Sequence, residues 1–228
     1  MSLDLVQKFG LTKQQYNLLI HFEELIFDWN KKINLISRKD INNFKTNHIA
    51  HSLSTSFYFK FKSDTKVLDL GTGGGLPGIP MAIIFPQVDF HLIDKVRKKI
   101  TVVADIAKKL KLKNVKTDWI NVNDLNRRYD FVISRSVASY HKIFNQCKNI
   151  FLSENKNEFE NGFILYKGGN ISDEFKGVAK YHTYELFKEM NVDFFKEKKL
   201  SMSLIHILVL EFCWWIVGCT NQSWANPP

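Results

Sequence analysis

Cysteine is scarce, at three residues (Cys147, Cys213 and Cys219) in a chain of 228. The number is odd and no two form a C-x-x-C pair. This excludes a disulfide framework and a paired-thiolate zinc site, and it fits a reducing, cytoplasmic compartment. Acidic side chains are also few, 23 Asp+Glu against 32 Lys+Arg, giving a net charge of +9 and a pI near 9.3. Such an excess favours a polyanionic partner, although charge alone does not decide it. No basic segment leads into an apolar core in Met1-Ser-Leu-Asp-Leu-Val-Gln-Lys, so a secretory leader is not expected. Repeats and linkers are absent too, and 228 residues with 45% hydrophobic content suit one domain with a sizeable core. Long apolar runs are missing apart from Met202 to Cys219, where Glu211 is the sole formal charge. That run reaches the lower limit for a membrane span, but His206 and Glu211 near its middle count against insertion, and no membrane association is expected.

What the chain does contain is one organising stretch, Val67-Leu-Asp-Leu-Gly-Thr-Gly-Gly-Gly-Leu-Pro-Gly-Ile-Pro80. Strand-like residues give way to glycines at 71, 73, 74 and 75, and an apolar segment resumes from Ile79 to Phe85. A strand, a tight glycine turn and a helix start describe a nucleotide-cofactor loop, since a Cβ would clash where backbone approaches ligand. The bland alternative is a glycine-rich surface turn, which the flanking strand and helix disfavour. A dinucleotide fingerprint wants G-x-G-x-x-G, and here Leu76 stands at the third glycine. Asp69 also places negative charge just before the loop, which suits a cationic ligand better than a pyrophosphate. S-adenosylmethionine (SAM), with its sulfonium and ammonium groups, is such a ligand. A second apolar strand, Phe90-His-Leu-Ile93, ends in Asp94, where a carboxylate can accept from both ribose hydroxyls or simply cap the next helix.

From Lys66 the pattern alternates strand with helix, which predicts a parallel sheet with crossovers. Strands are expected at Lys66–Leu70, Phe90–Ile93, Val115–Ile120, Phe131–Ser134 and Phe163–Tyr166. The helix after Asp94 turns Ile100, Val103, Ala107 and Leu110 inward. Its other face carries Arg97, Lys98, Lys99, Lys108 and Lys109, with Lys111, Lys113 and Lys116 beyond. A solvated face explains these cations, and phosphate contact is the alternative. Residues 1–62 form a helical N-terminal extension. Thr12 and Gln15 read as a capping box for a helix whose core face holds Tyr16, Leu19, Ile20, Ile26 and Trp29. Asp40 reads as the cap of a second helix, Ile41 to Phe59, with Phe44, Ile49, Leu53 and Phe57 inward. Residues 63–212 are the cofactor-binding core, with 202–212 able to supply a last strand. Residues 213–228, with Trp214-Trp-Ile-Val217, read as an atypical hydrophobic tail and an aberrant or read-through terminus.

Asp69-Leu-Gly-Thr-Gly-Gly-Gly-Leu-Pro-Gly-Ile-Pro, Leu92-Ile-Asp-Lys and Phe131-Val-Ile-Ser-Arg-Ser-Val-Ala together resemble the RsmG (GidB) family, from about Tyr16 to about Leu200. Its members methylate N7 of one guanine in bacterial small-subunit (16S) ribosomal RNA, using SAM. The resemblance implies a class I SAM-dependent methyltransferase fold: Rossmann-like α/β, a mostly parallel seven-stranded sheet and a helical N-terminal extension. It implies a cofactor site of Asp69, Gly71, Gly73, Gly75, Leu76 and Asp94, the adenine-side pair Val122 and Asn123, and Arg135 toward the methionine carboxylate. A surface salt bridge is the other reading of Arg135. Lys167, in Lys167-Gly-Gly, and His48 are candidate substrate contacts, and a packed histidine remains the alternative for His48. Many members carry Asp where this chain has His51.

No proline precedes a cysteine, so the nucleophile of cytosine-C5 enzymes is missing. No Asp/Asn-Pro-Pro-aromatic motif of amino-group methylases follows the fourth strand, where Ser134-Arg-Ser-Val137 stands. Both absences fit N7, whose free lone pair needs no general base; oxygen methylation stays open. No catalytic residue beyond positioning groups and no metal site is expected. The resemblance implies small-subunit ribosomal RNA as partner, with no DNA and no membrane, and the protein is expected to be a monomer. Competing readings are a SAM methyltransferase for a small molecule or protein, a dinucleotide oxidoreductase, and an RNA-binding protein without catalysis.

Overall fold

The computed structural model describes residues 4–37, 40–135 and 137–204. Seven strands form one sheet: β1 Lys66–Leu70, β2 Asp89–Asp94, β3 Val115–Trp119, β4 Phe131–Arg135, β5 Gly162–Gly168, β6 Tyr181–Glu185 and β7 Lys198–Leu204. Their spatial order is β3-β2-β1-β4-β5-β7-β6, with β7 antiparallel to both of its neighbours and the other pairs parallel. The order reverses between β1 and β4, which opens a crevice at their carboxyl ends, where ligands gather in such sheets. The five strands expected from sequence are present within a residue or two at each end. β6 is additional. The last strand begins at Lys198 rather than Met202, and residues 205–228, including the tail, lie outside the described part of the chain.

Helices α1 Leu5–Phe9 and α2 Lys13–Asn30 open the chain. The Thr12–Gln15 capping box is formed in both directions: Thr12 Oγ1 accepts from the Gln15 amide, and Gln15 Oε1 accepts from the Thr12 amide. Leu19, Phe22 and Ile26 on α2 are fully buried, whereas Tyr16 and Ile20 are only partly so. The second helix expected at 41–59 departs from a single α-helix. It runs as a 3-10 turn (Ile41–Asn43), a π-helix (Lys45–Ala50), α3 (His51–Leu53) and another 3-10 turn (Ser54–Phe57). The core spacing explains this: Phe44 and Ile49 are five residues apart and both buried, which a π-turn brings onto one face. Asp40 makes no capping bond; its carboxylate accepts from Ser37 Oγ (2.7 Å) and Asn47 Nδ2 (3.2 Å) instead.

Helices α4 Gly78–Ile84 and α5 Arg97–Lys109 cover one face of the sheet together with the N-terminal helices. On the other face α6 Tyr140–Cys147 packs against Val132 and Phe163. A short α7, Leu186–Met190, precedes β7. Trp29 on α2 donates its indole N–H to Asp105 on α5 (2.8 Å), tying the extension to the core. None of the helices in the described residues is long and apolar enough to cross a membrane.

Candidate functional site

The glycine loop leaves β1 and is pinned from two sides. The amides of Gly71 and Thr72 donate to the carbonyl of Ile93 (2.9 and 3.0 Å), fastening the turn to the end of β2. Asp94 then accepts from the Gly73 amide with Oδ2 (3.0 Å) and from the Val96 amide with Oδ1 (2.8 Å). It therefore does what the capping reading asks, and it also lines the cavity beside the loop. Gly71, Gly73 and Gly75 all have positive φ, as the turn requires. A Cβ at Gly73 would meet nothing closer than 4.0 Å, so a side chain there would project into open space.

Asp69 lies beneath the loop, fully buried and out of the cavity lining. Its Oδ2 accepts from Thr72 Oγ1 (2.7 Å) and from the Gly78 amide (2.9 Å), while Oδ1 has no partner among the described residues. Burial pushes its pKa up to about 7 against the two hydrogen bonds and Arg135. The carboxylate thus organises the loop from below instead of facing a ligand directly.

Above the switch point the cavity measures about 730 Å³. It is lined by Gly71, Gly73, Leu76, Asp94 and Val122, together with Arg135, His48 and residues of the N-terminal segment. Arg135, at the end of β4, donates through Nη1 to the Asn47 carbonyl (3.3 Å) and through Nη2 to His48 Nδ1 (2.8 Å). Arginine can only donate, so Nδ1 of His48 is the acceptor and the proton resides on Nε2. Burial, and then the Arg135 charge, depress the His48 pKa to about 4, which agrees with a neutral ring. Its Nε2 is buried without a partner among the described residues. Arg135 is partly buried and has no carboxylate partner among the described residues, which does not match the surface salt bridge reading.

Several expected residues sit elsewhere. Gly75 and Asn123 do not line the cavity; Asn121, beside Val122, does. Asn121 Oδ1 accepts from the Asn123 amide (3.1 Å), so the turn presents 121 and 122 and leaves 123 outward. Lys167 also stays out, because its ammonium donates to the Ala138 carbonyl (2.9 Å) and to Glu174. His51 lines the cavity at its back, boxed by Tyr166 and Phe194 at edge-to-face angles of 80° and 79°. Sequence reading missed Lys198 and Phe194, with Lys198 Nζ 5.0 Å from the Phe194 ring. They come from the far end of the chain and carry no local motif.

The residues present fit SAM. Asp94 retains free lone pairs for ribose hydroxyls, and Arg135 uses two of its N–H groups and keeps others for a carboxylate. Gly73 leaves the space a ligand would need.

Residues 15–203 match the family model described as GidB, rRNA small subunit methyltransferase G. The chain is 42% identical over 202 residues to the ribosomal RNA small subunit methyltransferase G of Christiangramia forsetii, covering 88% of this chain and 96% of the relative. Among solved structures, a SAM-dependent methyltransferase from Aquifex aeolicus superposes with a TM-score of 0.52 at 13% identity, over 75% of this chain and 99% of that one. M. jannaschii TYW2, solved in complex with AdoMet, gives 0.52 at 16% identity, over 76% of this chain and 78% of that one.

Proposed function

The chain belongs to the GidB family of small-subunit ribosomal RNA methyltransferases, and from that membership we propose that it transfers a methyl group from SAM to N7 of a guanine in 16S ribosomal RNA. The observation that carries this reading is the family match across residues 15–203, which spans both the glycine loop and the helical segment bearing His48.

SAM, when bound, supplies an electrophilic methyl group. The chain's own residues hold and orient. Asp94 accepts from the ribose, Gly71, Gly73 and Leu76 let the backbone approach, Val122 flanks the adenine, and Arg135 takes the methionine carboxylate. Asp69 and Gly75 act beneath this surface by shaping the loop. Asn47 and His48 fix the guanidinium of Arg135, so that its remaining N–H groups face the cavity. His48 Nε2–H is buried with no partner among the described residues, so the contribution of His48 here is to hold Arg135 through Nδ1. Guanine N7 carries a lone pair and no proton, so the chain need supply no general base and positioning is its contribution. The protein acts in the cytoplasm as a monomer.

The test is chemical. N7-methylguanine opens its imidazole ring readily, so the RNA backbone can be cleaved there after mild reduction and aniline. RNA from cells lacking this protein should resist cleavage at one guanine that is cut in the wild type. Complementation with Gly73→Asp, which fills the cavity beside the loop, should not restore the cut. Identical cleavage with and without the gene would overturn the assignment.

A further inference from the structure

Among the described residues, no helix covers one face of the sheet at its β1–β2–β3 end. The crossovers from β1 to β2 and from β2 to β3 carry α4 and α5, but β3 to β4 is joined only by a 3-10 turn at Val122–Asp124 and a loop. α4 and α5 both belong to the core on one face, with Phe90 and Leu92, while α6 covers β4 and β5 on the other. Parallel sheets are ordinarily covered on both faces and apolar on both. Here the amino ends of β1, β2 and β3 break that rule on the uncovered face. The register sets Lys66 beside Asp89 and His91 beside Lys116, with Asp118 two residues further along β3.

The result is a cavity of about 380 Å³ at the edge opposite the cofactor crevice. Five cations line it, Lys66, Lys113, Lys116, Arg127 and Arg128, against one carboxylate, Asp89. Its floor is His91, 4% exposed, whose Nδ1 meets the Tyr129 hydroxyl (2.5 Å) and whose Nε2 meets Asp118 (2.9 Å). Asp118 also pairs with Lys116 (2.7 Å). Arg128 Nη1 donates to the Phe151 carbonyl (3.2 Å), which holds its guanidinium in place. Lys66, Lys113 and Arg127 enter no ion pair among the described residues. These cations come from three separate segments and converge on one recess, which a solvated helix face does not do.

We propose that this bare face is a second RNA contact, which takes a run of phosphodiester backbone away from the target guanine. It rests on the ribosomal RNA reading above, and charge complementarity selects the occupant. The two edges are separated by the length of a five-residue strand, about 16 Å. One nucleotide does not bridge that distance, whereas a folded RNA carrying the target base does. The recess therefore adds affinity and register without touching the reacting atoms.

The experiment compares the full chain with the triple variant Lys66→Gln/Lys113→Gln/Arg127→Gln, using a small-subunit RNA fragment across a salt series. All three positions are exposed, so the fold should survive. Removing three phosphate contacts should raise Kd about tenfold or more and flatten the slope of log K against log salt by about 2 to 3. SAM affinity by calorimetry and the methylation rate at saturating RNA should be unchanged. A control variant, Lys13→Gln/Lys31→Gln/Lys32→Gln, removes the same charge from the α2 region and should lose far less. Wild-type Kd and slope in the triple variant overturn the proposal, as does an equal loss in the control. Weakened binding to ribosomal particles with unchanged binding to naked RNA assigns the face to a protein partner, and also overturns it. Tight RNA binding by the wild type without methyl transfer would overturn the assigned function and leave this surface standing.

Discussion

Two carboxylates at the ends of adjacent strands show how neighbouring residues of one type divide the work. Asp94 sits at the cavity with each oxygen holding one backbone amide, and Asp69 is sealed below with one oxygen unpartnered among the described residues. Asp94→Ala should weaken SAM binding by about 1.5–3 kcal/mol, the scale of hydrogen bonds to a charged group. Calorimetry with unchanged affinity would remove Asp94 from the site. Asp69 makes a prediction in pH. Its folded pKa of about 7 lies above the ordinary 3.8, so the native chain keeps a proton that the unfolded chain has lost. The stability it contributes is full below 3.8 and is lost as pH rises to about 7. His48 runs the other way, from 6.5 down to about 4, and contributes stability that is lost as pH falls through that interval. Asp69→Asn retains acceptors for Thr72 and Gly78 but cannot ionise. The stability of the wild type relative to this variant should therefore fall between pH 4.5 and 7, by on the order of 1 kcal/mol per pH unit. Urea midpoints whose difference stays flat across that range would refute the raised pKa.

Among the elements, those with strong local signals were legible in advance. The glycine loop, the capping box of α2 and the five core strands each combine a periodic apolar pattern with turn or cap residues that admit few alternatives. β6 escaped because Tyr181-His-Thr-Tyr-Glu185 is an edge strand exposed along most of its length, so it carries no apolar alternation to read. The mixed-pitch segment after Asp40 escaped because a five-residue core spacing looks like an irregular α-helix until the π-turn is seen. The site divides in the same way. Its cofactor half lies at the carboxyl ends of strands with strong local patterns, whereas Asn47, Phe194 and Lys198 reach the cavity through long-range packing that no local pattern encodes. Gly78 was visible as part of the Gly-Leu-Pro-Gly-Ile-Pro run, but its reason was not. A Cβ there would stand 2.6 Å from Asp69 Oδ2 and 2.7 Å from Leu92 Cγ, both on buried side chains. Gly78→Ala should accordingly cost roughly 1–3 kcal/mol by overpacking and displace the start of α4 from the Asp69 carboxylate. Chemical denaturation that finds the variant as stable as the wild type would show that Leu92 repacks freely.

Across the whole molecule, the helical extension and the methyltransferase core behave as one body in packing terms. A single apolar cluster runs from Leu5 through Leu19, Phe22, Ile26, Ile49 and Leu53 to Val67, Ile79, Ile164 and Leu200. Polar ties cross the same boundary: Trp29 to Asp105, Tyr166 to the Ser52 carbonyl (2.7 Å), and Arg135 to Asn47 and His48. Opening α2 alone would strip the fully buried Phe22 and Ile26 of their neighbours in the core. At about 1.5–3 kcal/mol for each large side chain exposed, that separation costs a substantial part of the stability of an ordinary domain. The extension should therefore not open as an independent unit. Native-state hydrogen exchange in mild denaturant tests this, since cooperative units reveal themselves as sets of amides that converge on one opening free energy. The amides of Leu19, Phe22 and Ile26 should converge with those of β1 and β4. If α2 exchanges through an opening more than about 2 kcal/mol below the global value, residues 1–62 form a separate folding unit. Arg135 would then be held by a segment that can detach from the cofactor crevice.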